Sequence, residues 1–433
     1  MKTPTGMSRR HFMSHMAGAS ALAGSSLALG NTIKANATDL KKRRKSAILL
    51  WMGGGPSTMD IWDLKPGAPT GGEFRPISTA GDLQISEHMP MTAKVMDRMS
   101  VVRSMSTREA DHGRGRYYMH TGYVPNPNME HPTYGSVISH ELASQRPELE
   151  IPPFVSVGSD AGGPGFLGMA WAPFSVGSNG QVRNLGLGLD DSRMLKRKDM
   201  LELFGSNFIG TKFGADLSDT KIKTDRGVSA KEHMQVINKT WNLMTSEQMK
   251  AFKVNQEKPE VLERYGNNGF GRGCAMARRL VEVGVPFIEV GYGGWDNHGN
   301  IFPTLRDTKL PIIDRAMSAL VEDLTERGLW EDTVVIWMGE FSRTPRINGN
   351  AGRDHWARSW SVAVGGGDLK GGVAVGATNE DGTKVITEPY SSEDLMATVC
   401  KGLGISLNTT FTSRNNRPMK IANSGKIIKE LIA

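Results

Sequence analysis

The strongest pattern in the chain is a set of short, mostly apolar runs, each closed by a turn or a polar cluster. They are Ala47–Met52, Val101–Arg103, Phe154–Val157, Pro286–Val290, Thr333–Met338 and Ser361–Val364. Runs of this length without alternation are what strands buried on both faces require. Between them, apolar residues recur at three- and four-residue spacing over His88–Met99, Tyr134–Ser144, Ala230–Phe252, Gly273–Val283, Leu310–Glu326 and Ser392–Leu403. That spacing gives each segment one apolar helical face. Strands alternating with helices predict an α/β fold, a large, mostly parallel sheet sandwiched by helices. From about 158 to 225 the chain is rich in Gly, Asn and Ser with weak periodicity, and reads as an insertion that caps or flanks the sheet.

The clusters that close the runs carry most of the chemistry. Gly53-Gly54-Gly55-Pro56-Ser57 follows the first run, and Asp111-His112-Gly113-Arg114-Gly115-Arg116, read as a loop, follows the second. Gly291 to His298 follows Pro286–Val290, and Gly339-Glu340-Phe341-Ser342-Arg343 follows Thr333–Met338. In open α/β sheets ligands bind beyond the carboxyl ends of the strands, so clusters at four such ends predict one shared cleft.

Charge adds a boundary. The chain has 52 basic and 45 acidic side chains, a formal balance of +7. Residues 1–37 hold four bases and no acid, and residues 38–45 hold five bases and Asp39, which leaves 43 bases against 44 acids from Ser46 onward. The basic character thus belongs to the leader and a solvated linker, and a nucleic-acid partner, which needs a basic face on the folded body, is set aside. Ser8-Arg9-Arg10-His11-Phe12-Met13, a mildly apolar run from Met16 to Gly30 and Ala35-Asn36-Ala37 occur in the order of a twin-arginine signal with its cleavage site. We therefore expect a removable peptide over 1–37, a linker over 38–45, one domain over 46–433, and a periplasmic or extracellular protein. No stretch is apolar for long enough to span a bilayer. Two cysteines, Cys274 and Cys400, are too few for a disulfide framework.

Asp296 and His298, two apart in a glycine-bounded loop, offer oxygen and nitrogen donors suited to zinc or a similar divalent ion. Such a pair also serves Asx turns and caps. Asp354-His355 is a second acid–histidine pair, and Glu340 closes a wholly apolar strand, where a carboxylate is costly unless paired with Arg343 or Arg346 or bound to a metal. The Gly53–Ser57 run lacks the Gly-Lys-Ser/Thr of a phosphate loop, and its glycines are better read as letting backbone approach a ligand. Asp60 and Asp63 either reach the cleft or cap the next turn. Trp62, Trp295 and Trp356 are pocket walls or core.

At these residues the chain resembles a bacterial family carrying the domain-of-unknown-function label 1501. The likeness rests on G-G-G-P-S-T-M-D, D-H-G-R-G-R, G-W-D-N-H-G and G-E-F-S-R-T-P-R…G-R-D-H-W. That family is placed in the alkaline phosphatase and sulfatase superfamily, which implies a large α/β sandwich with metals at the strand ends. In the sulfatase pattern, Arg116 and Thr121-Gly122 match the expected spacing and His112 stands at the nucleophile position. In the phosphatase pattern, Asp296, His298 and His355 resemble one metal's ligands. Gly54 stands where the first strand usually ends in Asp, and Glu340-Phe341 replaces Asp-His; these departures from the pattern speak against a two-metal mechanism and are compatible with a one-metal site.

The expected function is an exported metal-dependent hydrolase of phosphate or sulfate esters on small or polymeric, including glycan-linked, substrates. Zinc is the first choice of metal, with calcium or manganese as alternatives. Asp296, His298 and His355, with Asp60 as a further ligand, would hold the ion. Arg116 would grip the anionic group, assisted by Arg114, Ser57 and Arg343. His112 would be base, ligand or nucleophile, with Glu340 beside it. The alternatives are a non-catalytic anion- or glycan-binding protein of the same fold and an envelope structural component; the oligomeric state is left open. The export expectation has a direct test. Exported protein should begin at or near Thr38 on N-terminal sequencing, and Arg9→Lys with Arg10→Lys should retain it in the cytoplasm; exported chain beginning at Met1 would refute it.

Overall fold

Ser46-Ala-Ile-Leu-Leu-Trp51 has no polar side chain after its first residue and no exposed position, and it forms the central strand β1 (Ser46–Trp51). In the computed structural model, which describes residues 44–177, 193, 196, 199, 200 and 246–432, it lies between two parallel neighbours. The other strands of this sheet are β2 (Met99–Met105), β3 (Phe154–Val157), β4 (Phe174–Val176), β5 (Phe287–Gly291), β6 (Thr333–Met338), β7 (Trp360–Gly365) and β8 (Ala374–Val375). Their order is β8-β2-β7-β6-β1-β5-β3-β4. Every pairing is parallel except the two made by β7, which runs against both β6 and β2. The carboxyl ends of β1, β2, β5 and β6 therefore share one edge with the amino end of β7.

Side chains of β1 alternate between two cores. Ile48 and Leu50 join the one built with α3 (Gly269–Glu282) and α4 (Leu310–Glu326). Ala47, Leu49 and Trp51 join the other, shared with α1 (His112–Thr121), α2 (Tyr134–Ala143) and α5 (Ser392–Gly402). Burying both faces is why the strands read as mostly apolar runs. Trp62 and Trp295 are wholly buried and pack edge-on against Trp337, so they are core, whereas Trp356 is half-buried.

The α/β sandwich with a mostly parallel sheet is thus as expected, and all six apolar runs are strands. The differences are local. His88–Met99 yields only a four-residue helix, Pro90–Ala93, because Met89 must turn into it and Met99 already belongs to β2. The helix expected over Ala230–Phe252 lies outside the described residues up to 245, and its end, Glu247–Phe252, is a 3₁₀ turn. The insertion around 158–225 also lies mostly outside them, as does the leader over 1–37. Strands β4 and β8, three and two residues long, carry no period that could announce them. Among the described residues no helix is long and apolar enough to cross a membrane.

Cys274 and Cys400 are both free and fully buried, and they sit in different cores on opposite faces of the sheet. A bridge between them would have to pass through the sheet. Burial also pushes both thiols well above the usual cysteine range, which suppresses the reactive thiolate. A thiol reagent should label neither cysteine in the folded protein and both in denaturant; rapid labelling under native conditions would contradict this placement.

Candidate metal centre

The segment expected to be a loop is helix α1. Asp111 caps it by accepting the Arg114 N–H at 3.0 Å, and Gly122, left-handed at φ 74°, ends it. Its glycines hid it from periodicity, and one of them has a packing reason. A Cβ on Gly115 would lie 3.0 Å from the Phe341 ring and 3.3 Å from the Glu340 carbonyl oxygen. The small residue therefore lets α1 lie against the segment after β6. His112, in the first turn, is brought to Glu340 in this way.

Three imidazoles meet at one carboxylate. Asp296 Oδ1 is 2.9 Å from His298 Nε2 and 3.3 Å from both His112 Nε2 and His355 Nε2. Each ring has its other nitrogen already engaged. His112 Nδ1 donates to Glu340 Oε1 at 2.7 Å, His298 Nδ1 to Asp354 Oδ1 at 2.9 Å, and His355 Nδ1 to the Ala110 carbonyl at 2.8 Å. These acceptors assign the proton to Nδ1 in every ring and turn three Nε2 lone pairs inward. His298 Nε2 and His355 Nε2 are only 3.2 Å apart, two acceptors facing each other. His112 Nε2 and Glu340 Oε2 are buried and have no hydrogen-bond partner among the described residues. Converging Nε2 acceptors with protonated outer nitrogens are the arrangement a metal needs from histidine.

Arg343 closes the cluster from below. It is buried, with Nη2 at 2.7 Å from Asp296 Oδ1, Nη1 at 3.3 Å from His298 Nε2, and Nε donating to the Gly55 carbonyl at 2.6 Å. Nη2 also donates to the Gly54 carbonyl. Burial would raise the Asp296 pKa, but the Arg343 hydrogen bond and charge, with smaller help from His112 and His298, hold it down to about 2. Asp296 is thus ionised and available as a ligand at any ordinary pH. Desolvation lowers the Arg343 pKa while Asp296 works against that shift. Glu340 does not pair with Arg343; Oε1 also accepts the Gly54 N–H at 2.8 Å.

His112, Asp296 and His355 have ligand atoms all within 4.8 Å of one another, and His298 stands beside them. The structure therefore gathers the three expected ligands Asp296, His298 and His355, and adds His112. Asp60 is elsewhere. It is buried in a two-toothed pair with Arg353, both contacts 2.8 Å, and accepts the Ser57 hydroxyl at 2.6 Å. With its oxygens so used, Asp60 is a structural ion pair, and Ser57 is spent on it rather than on substrate. Arg114 reaches out to Glu109 at 2.6 and 3.0 Å. Arg116 points away from the cluster towards Asp160, 3.4 Å off, and lines a separate cavity with Tyr117 and His131. Thr121 and Gly122 merely end α1. Asp354 was visible beside His355, but its partner is His298, a pairing across 56 residues that no local spacing reveals.

Residues 44–432 match the family described as "Protein of unknown function (DUF1501)". The chain belongs to that family. No curated protein matches it. Among solved structures, this DUF1501 chain is similar to a protein in the alkaline phosphatase superfamily from Vibrio parahaemolyticus, at 12% identity and TM-score 0.38, covering 90% of this chain and 71% of that one. A sulfatase from Pseudoalteromonas sp. is similar at 12% identity and TM-score 0.38, over 86% and 70% of the two chains. A phosphonate monoester hydrolase from Silicibacter pomeroyi is similar at 8% identity and TM-score 0.35, over 89% and 76%. These likenesses are too loose to transfer a residue or a reaction.

The glycine run after β1 proves to be the floor of the centre. Gly54 has φ 114°, and a Cβ there would lie 2.7 Å from the Asp296 nitrogen and 2.8 Å from that of Trp295. Gly54→Ala removes no donor, yet it should displace the Asp296 loop and cost about 1–3 kcal/mol through backbone strain. We expect a lower urea midpoint together with weakened zinc binding by titration; an unchanged midpoint would show that the floor is not rigid.

Proposed function

We propose that this protein is an exported, metal-dependent hydrolase of phosphate or sulfate esters. The observation that carries the reading is the convergence of three Nε2 lone pairs on Asp296 Oδ1 with all three Nδ1 atoms already donating. His112, Asp296 and His355 would hold the ion, with His298 at its rim, and a mixed nitrogen and oxygen set of this kind suits zinc. When bound, a divalent ion supplies a Lewis acid for the ester oxygen and lowers the pKa of a bound water. Glu340 and the Ala110 carbonyl fix the rings of His112 and His355. The buried Arg343 guanidinium adds positive charge where an anionic group would sit, without needing to be ordered first. His298 is the most exposed of the three rings and is aligned by Asp354, so it is the group we assign to proton transfer at Nε2. His112 is then a ligand rather than a nucleophile, since its Nε2 faces Asp296. Arg116, paired with Asp160, is not part of the clamp.

A second reading, a non-catalytic anion-binding protein, draws support from the same displacement of Arg116, which leaves Arg343 as the cation at the centre. Turnover separates the two. Purified protein should contain about one equivalent of divalent metal by elemental analysis and should hydrolyse an aryl phosphate or an aryl sulfate. His355→Ala should weaken metal binding at least tenfold, lower the melting temperature and abolish turnover. Protein that carries no metal and gains no stability from zinc, manganese or calcium would overturn the metal reading; metal without turnover across an ester panel would favour the second.

A further inference from the structure

We infer that the substrate carries a second anionic group, held by Arg108 and Arg358 in a groove beside the metal centre; this deepens the hydrolase reading and rests on it. The groove, about 770 Å³, is lined by Ser106, Thr107, Arg108, His355, Trp356 and Arg358, with alanines filling the rest. His355 belongs to both places. Its Nε2 faces Asp296 while its ring forms part of the groove wall, so a molecule bound in the groove abuts the reacting centre.

The walls are two strand-end segments stapled together. Thr107 N–H donates to the Ala357 carbonyl at 2.7 Å, and His355 Nδ1 donates to the Ala110 carbonyl at 2.8 Å. Arg108 and Arg358 are each one residue beyond the partners of the first bond, and both are exposed. The acids nearest to them along the chain are committed elsewhere. Glu109 holds Arg114 through both oxygens, and Asp354 is bonded to His298 and Asn348. Arg108 makes no hydrogen bond or ion pair with any described residue, and Arg358 only lies 6.0 Å from the Trp356 ring. Backbone hydrogen bonds thus bring both arginines to one groove, where neither guanidinium has an ion-pair partner among the described residues and a bound anion would supply one. Guanidinium forks suit carboxylate, sulfate or phosphate oxygens, and Trp356 gives the groove an apolar wall for the body joining the two anionic groups. A simple monoester would leave both arginines unused. The class we assign is therefore a multiply anionic ester, one group at the metal and another in the groove.

The test is calorimetric titration of the full mature chain, without any requirement for turnover. The probes are a disaccharide carrying one sulfate, the same disaccharide carrying two, and the matching mono- and bisphosphates, which tell whether the groove distinguishes the source of the charge. We expect the doubly charged probe to bind about tenfold more tightly or better, from one or more charge-assisted hydrogen bonds. Arg108→Ala with Arg358→Ala should erase that preference, and Arg108→Lys with Arg358→Lys should keep part of it. Both arginines are exposed, so an unchanged melting temperature verifies that the variants fold. Equal affinity for both probes, or a preference that survives the double alanine variant, overturns the inference. The outcome is separable from the hydrolase reading: a charge preference without turnover defeats only that reading, and turnover without a charge preference defeats only the groove.

Discussion

Holding one oxygen of Asp296 against three imidazoles and a guanidinium is the constraint around which the rest of the strand-end edge is arranged. A carboxylate oxygen and nitrogen lone pairs that face one another repel. The chain answers that repulsion with fixed partners. Arg343 supplies charge from a buried position, anchored by two backbone carbonyls that the glycine run exposes. Glu340, Asp354 and the Ala110 carbonyl settle which nitrogen of each ring carries the proton. Remove any of these and the histidines are free to turn, so the geometry rests as much on the groups behind the rings as on the rings themselves.

The sheet is what brings these groups together. Four of the contributing segments follow strands that run the same way, but His355 precedes the one strand that runs against its neighbours. The reversal is what lets a residue ahead of a strand reach the same edge as residues behind the others. It also explains why β7 needs no crossover helix between it and the site: the chain passes through the centre on its way into the sheet.

Much of this was legible in the sequence, and the boundary of legibility is physical. Strands buried on both faces announce themselves, because every residue in Ala47–Trp51 or Val334–Met338 must be apolar. A polar cluster after such a strand then has only one place to be. Asp296, His298 and His355 were therefore accessible as a group. What could not be read was direction. Arg116 sits on α1 below His112, but its side chain turns to Asp160, and nothing in D-H-G-R-G-R distinguishes the arginine that faces a site from the one that leaves it. Asp60 shows the same limit. A carboxylate near a strand end satisfies a ligand's description equally well when its true partner is Arg353, 293 residues away. Helix α1 was missed because two glycines and two arginines suppress helical periodicity, although Asp111 and Gly122 were its cap and stop signals.

The residues around Asp296 come from positions 112, 298, 343 and 355, so no contiguous piece of the chain contains the centre. It exists only once strands far apart in sequence have docked. An ion of the kind proposed for this centre would find its full set of donors only after the sheet has closed. The compartment in which the sheet closes would then decide which cations compete for those donors.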